Sequence, residues 1–210
     1  MNWIKDFIPN IKKNISQTFG SEKDSKVPEG LWQSCDNCGS ILYIPELKKN
    51  SFVCSKCSYH LKINTEQRIE ITFDKDSYQS LNEEEKFRDL LNFRDTKKYK
   101  DRFQEATKKS NCDEALSIGI GEIKGIQVTT AIFEFDFLGG SMGAVVGKRF
   151  ADIVNLSLKK KIPLVCFSTS GGARMQESMI SLFQMGKTSA AVKRLKNSKI
   201  PFISILVDPC

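Results

Sequence analysis

Histidine is almost missing from this sequence, with His60 the only one in 210 residues. A Ser-His-Asp or Cys-His enzyme needs an imidazole beside its nucleophile, and residues 111–210 contain none. Covalent hydrolase chemistry of that kind is therefore excluded from the C-terminal half. Long apolar runs are also lacking. None reaches the roughly 18 uninterrupted apolar residues of a membrane-spanning helix, so no membrane partner is expected. Residues 1–20 mix Trp3, Ile4, Phe7, Ile8, Ile11 and Ile15 with Lys5, Lys12 and Lys13 and hold no continuous apolar core of a signal peptide, which argues against secretion. The glycine-rich stretches lack the Lys-Ser or Lys-Thr of a Walker A loop, and none spells GxGxxG, so nucleotide binding by those two routes is not indicated.

Cysteine is present in an odd number, seven, with four of the seven in two tight CxxC pairs. An extracellular disulfide framework usually has an even count, so this usage fits metal binding in a reducing compartment, the cytoplasm or an organelle like it. The charge is +7, from 32 Lys and Arg against 25 Asp and Glu. That balance describes a mixed surface with a basic excess, short of a polyanion-binding tail.

Four regions follow from the patterning. In residues 1–30, apolar positions 4, 7, 8, 11 and 15 outline one face of a short helix interrupted by Pro9, followed by a polar linker at 20–30. Residues 31–64 hold the cysteine pairs, with Ile41, Tyr43, Phe52 and Val53 around a polar centre at 48–51, a pattern that suits a hairpin of two short strands. Residues 65–110 read as a charged helical connector. Within it, residues 94–109 carry seven basic side chains against three acidic ones, either a solvated helical face or a docking surface for an acidic partner. From residue 111 the pattern changes. Leu116, Ile118, Ile120 and Ile123 alternate with small or polar residues, then a turn at Lys124-Gly125 and an apolar run at 126–135 complete a β-hairpin.

After the hairpin comes a glycine loop, Gly139-Gly140-Ser141-Met142-Gly143, and a helix with Val146, Phe150, Ile153, Val154 and Leu158 on one buried face. A buried strand at 162–167 leads to a second loop, Ser170-Gly171-Gly172-Ala173-Arg174. The next helix has Met175, Met179, Leu182, Phe183, Gly186 and Ala190 on one face and ends near 197. A buried-looking strand at 200–207 closes a βαβ arrangement with a largely parallel sheet, so residues 111–210 are read as an α/β domain.

Cys35 and Cys38 are two residues apart, as are Cys54 and Cys57, with fifteen residues between the pairs. This spacing is that of a zinc ribbon. Two thiolates per turn approach one ion from each side, and four thiolates leave no open coordination position, so the zinc is expected to be structural. An iron–sulfur cluster and a redox dithiol are the alternatives. His60 is read as a neighbour of the site and Cys112 and Cys166 as small buried hydrophobes.

The glycine loops leave two readings open. Without a Cβ, main-chain N–H groups at Gly171 and Gly172 can point at an oxyanion, a thioester carbonyl or a phosphate, with Arg174 adding a charge at the start of the following helix. Equally, glycines permit close packing of helix against strand.

Longer stretches carry a resemblance. Val27-Pro28-Glu29-Gly30-Leu31-Trp32 leads into the ribbon, followed by Lys86-Phe87-Arg88-Asp89 and residues 93–102 with Phe93-Arg94-Asp95-Thr96. Phe133-Glu134-Phe135 precedes the first glycine loop, and Ser170-Gly171-Gly172-Ala173-Arg174-Met175-Gln176-Glu177 forms the second. Together they resemble, over essentially the whole chain, the β subunit of the bacterial and plastid-type acetyl-coenzyme A carboxylase carboxyltransferase.

The resemblance implies a crotonase-like (ClpP-like) α/β fold binding acyl-CoA. It implies transfer of a carboxyl group from carboxybiotin on a carrier protein to acetyl-CoA, giving malonyl-CoA for fatty-acid synthesis. The implied partners are a carboxyltransferase α subunit, the biotin carboxyl carrier protein and biotin carboxylase, and the implied location is the cytoplasm or plastid stroma. Cys35, Cys38, Cys54 and Cys57 transfer as zinc ligands, and Gly139, Gly140, Gly171, Gly172 and Arg174 as lining of the CoA site, with no catalytic side chain carried over. In the family the strand ending in Asp-Pro continues into a glycine loop that supplies an oxyanion hole, whereas here Asp208-Pro209 is followed by Cys210 alone. The expectation is an incomplete domain. The alternatives are a zinc-ribbon nucleic-acid-binding protein, motivated by the ribbon, the +7 charge and residues 94–109, and an inactive fragment that only docks the α subunit.

Overall fold

In the computed structural model, residues 31–83 and 89–209 are described. The N-terminal helix and linker expected at 1–30, Lys86-Phe87-Arg88 and Cys210 lie outside them.

The ribbon is built from two copies of one turn. Cys35 N–H donates to Ser40 and Cys54 N–H to Tyr59, while the Cys35 and Cys54 carbonyls accept from Gly39 and Ser58. The residue four past each first cysteine has positive φ, 68° at Gly39 and 59° at Ser58, which folds both turns alike. The strand pairing differs from the expected hairpin. β1 (Trp32–Ser34) pairs antiparallel with β2 (Ile41–Tyr43), so the partner of Ile41 and Tyr43 lies before the first cysteine pair. Between Tyr43 and Phe52 the chain forms a short helix, α1 (Ile44–Lys49), with a proline in its first turn and Lys48 and Lys49 in its last, and Val53, on the expected return strand, bridges His60 instead. Phe52 points into the ribbon core with Leu42, Leu47 and Leu61.

α2 (Thr65–Thr72) is started by a capping box between Asn64 and Gln67. The connector is not helical throughout, because a two-residue strand, β3 (Gln79–Ser80), joins the main sheet before α3 (Tyr99–Ser110). α3 ends at Asn111 in the left-handed conformation.

The main sheet has the order β3, β4 (Leu116–Ile123), β5 (Ile126–Phe133), β6 (Leu164–Ser168), β7 (Phe202–Leu206). The expected hairpin is β4 with β5, turning through Lys124 and Gly125, both at positive φ as a two-residue hairpin turn requires. The Asp74 carboxylate accepts from both of their N–H groups. β5, β6 and β7 run parallel, linked by α4 (Ala144–Lys160) and α5 (Ser178–Asn197), so only this half of the sheet has the expected parallel character.

Alternation along the strands divides the core in two. Leu164 and Cys166 of β6 face α4, where Val146, Phe150, Ile153 and Val154 form the buried stripe read from the sequence. Val165 and Phe167 face the other way, onto Phe73, Val128 and Ile132.

α5 departs from expectation. Met175, Met179, Leu182 and Phe183 are between 47 and 67 % exposed, while Ser181, Gln184, Ala191 and Leu195 are buried against the body. α4 and α5 come so close that a Cβ on Gly147 would collide with the Gln184 side chain, which leaves room for small and polar residues at that contact. β7 forms an edge of the sheet, and Ile203, Ile205 and Leu206 are exposed there, unlike the buried strand expected.

Candidate functional site

The four ribbon sulfurs lie within 4.8 Å of one another. The Cys35–Cys57 and Cys38–Cys54 separations are 3.7 and 3.8 Å. A tetrahedron of thiolates about 2.3 Å from one zinc ion has edges of roughly 3.8 Å, so the donor set fits that ion. A disulfide does not fit, since its sulfurs are about 2.05 Å apart. Hydrogen bonds with Ser40 draw the Cys38 thiol down to about 6. His60 is outside the cluster, in a bridge to Val53.

The ribbon is tied to the sheet where α2 begins. Thr65 donates from both its N–H and its hydroxyl to Glu134, at 3.0 and 3.1 Å, and Arg68 lies over the Phe167 ring.

The two glycine loops follow the carboxyl ends of β5 and β6, where open α/β sheets place their ligands. They are joined to each other. Gly171 N–H donates to Gly139 at 2.7 Å, Met142 N–H to Gly172 at 2.9 Å and Arg174 N–H to Met142 at 3.1 Å, a parallel bridge between Met142 and Ala173. Both donors expected to face a ligand are thus spent on the protein itself. Gly171 N–H is used in this bridge, and Gly172 N–H donates to the Ser170 hydroxyl.

The four glycines serve different needs. Gly139 and Gly172 have φ of 68° and 100°, and an added Cβ on either would meet nothing within 4 Å, so both look onto open space. Gly140, at φ 64°, would place a Cβ 2.9 Å from the Thr169 carbonyl. It is a packing glycine. Beside the loops is a cleft of about 500 Å³ lined by Met142, Phe150, Cys166, Ser170, Thr188 and Phe202, within the ordinary range for small-molecule sites.

Arg174 was expected to offer its charge to a ligand and instead points inward. It is 1 % exposed. Its guanidinium donates to both Glu114 oxygens at 2.5 and 3.0 Å, to the Ser141 hydroxyl and carbonyl, to Tyr99 and to Glu177. Burial pulls its pKa down, but the hydrogen bonds and charge of Glu114 outweigh this and leave it above the usual arginine range. The reason is chemical: a buried guanidinium needs a carboxylate and a full set of acceptors, and here all of them are protein groups.

Glu177 was not singled out as a site residue. Its carboxylate accepts from Tyr99 at 2.8 Å, from Ala144 N–H at 2.6 Å and from Arg174 at 3.3 Å. Its signal in the sequence is its place three residues after Arg174, which puts acid and base within reach across one turn. The helix after the second loop also starts later than expected, since Met175–Glu177 is a 3-10 turn and α5 proper begins at Ser178.

Three of the seven basic side chains at 94–109 are in ion pairs. Arg102 pairs with Asp95, Lys97 with Glu105 and Lys109 with Asp136. Among the described residues no helix is long and apolar enough to cross a membrane.

Residues 64–210 match the carboxyl transferase domain family. Among solved structures, the 12S transcarboxylase with hydrolysed methylmalonyl-coenzyme A bound is 27% identical, with a TM-score of 0.55 over 71% of this chain and 26% of that one. A malonate decarboxylase hetero-dimer from Pseudomonas matches at 20% identity and a TM-score of 0.51, over 70% of this chain and 53% of that one. The β subunit of geranyl-CoA carboxylase from P. aeruginosa matches at 16% identity and a TM-score of 0.51, covering 77% and 26%. These last two support the fold alone. The chain spans about a quarter of the length of the transcarboxylase chain that it matches.

Proposed function

Since the chain belongs to the carboxyl transferase domain family, with a crotonase-like α/β fold, we propose that it forms the acyl-CoA side of a biotin-dependent carboxyltransferase, with acetyl-CoA as carboxyl acceptor and malonyl-CoA as product. The observation that carries this reading is the joined pair of glycine loops at the carboxyl ends of β5 and β6, beside a cleft of about 500 Å³.

The acceptor must lose a proton next to its thioester, and the developing enolate oxygen calls for donors already in place. Gly139 and Gly172, with open space where side chains would be, let a thioester and its pantetheine arm lie directly against backbone. Gly140 and Gly171 hold the two loops in register. Arg174 enters this account as a positioning residue, since its donors are committed to Glu114, Ser141, Tyr99 and Glu177. No histidine is required, in keeping with the composition. Carboxybiotin would arrive on the carrier protein, loaded by biotin carboxylase.

Zinc, held by Cys35, Cys38, Cys54 and Cys57, would supply folding energy to the ribbon rather than chemistry. The exposed stripe of Met179, Leu182, Phe183 and Met185 on α5 is the surface we assign to the carboxyltransferase α subunit, because apolar area of this kind marks an interface.

The test is malonyl-CoA formation from carboxybiotin and acetyl-CoA by the zinc-loaded chain with its α subunit, alongside a chain extended past Cys210. Product dependent on both subunits is expected. Absence of product from the extended protein would overturn the reading. Propionyl-CoA as a competing acceptor decides the substrate, with acetyl-CoA expected to be preferred. The nucleic-acid reading gives the glycine-loop domain no role, and three of the seven basic side chains at 94–109 are already held in ion pairs.

A further inference from the structure

Helix α4 starts without a cap of its own. Its N-cap position is Gly143, which has no side chain, and no local side chain caps that end. The leading N–H groups of a helix are unpaired and carry partial positive charge. Here the Glu177 carboxylate, 33 residues further on, supplies the missing acceptor to Ala144 N–H at 2.6 Å.

Glu177 also occupies the N-cap position of α5, where its side chain makes no capping hydrogen bond to that helix. Through its other oxygen it takes the Tyr99 hydroxyl of α3 and an Arg174 donor. Tyr99 also accepts from Arg174 at 3.3 Å, and burial pushes its own pKa up, so it stays a protonated donor. Gly143 is the glycine this arrangement demands, because a Cβ there would come within 2.5 Å of Glu177 Oε1 and 2.7 Å of Arg174 Nη1.

One side chain thus joins the start of α4 to Tyr99 of α3 and to Arg174, the anchor of the second glycine loop. We propose that Glu177 is a positioning residue that sets the 139–144 loop and the start of α4 relative to the acyl-CoA cleft. Its effect on turnover rests on the carboxyltransferase reading; its effect on loop order does not. Displacement of reacting groups by about 1 Å can lower a rate by about 100-fold, so loosening this point should lower kcat and leave substrate affinity nearly intact.

The experiment compares Glu177→Ala and Glu177→Gln with the unchanged zinc-loaded chain and its α subunit. Glu177→Ala is expected to lower kcat by about 10- to 100-fold with KM for acetyl-CoA within about twofold. The deficit should persist at temperatures where circular dichroism shows full folding. Glu177→Gln keeps an acceptor for Ala144 N–H and should recover most of the loss. Wild-type kcat in Glu177→Ala, or a deficit that vanishes once the variant is fully folded, would overturn the proposal. Hydrogen exchange supplies a reading without turnover: Glu177→Ala should exchange the 139–144 amides about tenfold faster, with β5 and β6 unchanged. If the protein extended past Cys210 makes no malonyl-CoA, the functional reading fails, and unaltered exchange at 139–144 would sink the positioning role separately.

Discussion

Arg174 and Glu114 meet through two hydrogen bonds of 2.5 and 3.0 Å, with 2 % or less of either side chain open to solvent. Glu114 lies just before β4 and Arg174 in the second glycine loop, so this pair fastens the loop to the sheet. A buried ion pair is costly to desolvate and still more costly to break on one side. Glu114→Leu, which leaves the guanidinium without its counter-charge, should therefore lose about 3–5 kcal/mol in urea unfolding. The double variant Glu114→Leu/Arg174→Met should be more stable than either single variant. If the losses simply add, the two residues do not act as a unit.

Zinc removal should unfold the ribbon and spare the sheet. Binding of structural zinc amounts to about 10–16 kcal/mol, and the ribbon's core has only a few apolar side chains, with Leu42, Leu47, Phe52 and Leu61 among them. Metal analysis should give one zinc per chain, and Cys54→Ser should abolish it. Retained β-sheet signal in circular dichroism after chelation is the companion result. Iron in place of zinc would contradict the ribbon.

Alkaline pH should weaken the fold through its buried thiols. Burial pushes Cys166 up from 9.0 to about 11, and burial with the nearby carboxylates of Glu134 and Asp113 does the same to Cys112. Below pH 9 both thiols keep their protons folded or unfolded, and the contribution to stability is fully present. Between pH 9 and 11 the unfolded chain releases its protons first, so stability falls with rising pH. Urea midpoints measured across this window should decline, less so in Cys166→Ala. Iodoacetamide at pH 8 should leave Cys166 unmodified in the native protein.

Glycine replacements should separate strain from packing. Gly125→Ala meets only the cost of positive φ, since its Cβ would have open space, and about 1 kcal/mol is expected. Gly140→Ala adds a Cβ 2.9 Å from the Thr169 carbonyl at a comparable φ, and about 2–4 kcal/mol is expected. Thermal melts of the two variants give the comparison directly.

How much of this was legible in the sequence depended on how local the cause was. The β4–β5 hairpin, α4 and β6 are each written in a run of their own residues, in alternation, in 3.6-residue spacing or in a short β-branched stretch. The zinc donors were legible for the same reason, as two turns with fixed offsets. The ribbon's strand pairing was not, since three-residue strands are too short to show a period. On α5 the apolar stripe pointed the wrong way, because close contact with α4 at Gly147 selects Ser181 and Gln184 for the inner face. Arg174 was misread for a third reason. Its partner Glu114 is 60 residues away, and nothing in either neighbourhood reports the other.

The bridge between Met142 and Ala173 has a consequence for how such a domain can vary. Two loops that share hydrogen bonds at Gly139, Met142, Gly172 and Arg174 cannot change length independently. An extra residue between Phe137 and Ala144 would slide one strand of the bridge past the other, moving Ser141 from Arg174 and Ala144 from Glu177 together. Insertions here should be tolerated only in matched pairs, so that new substrate preferences are reached more readily by exchanging side chains around the cleft than by rebuilding either loop.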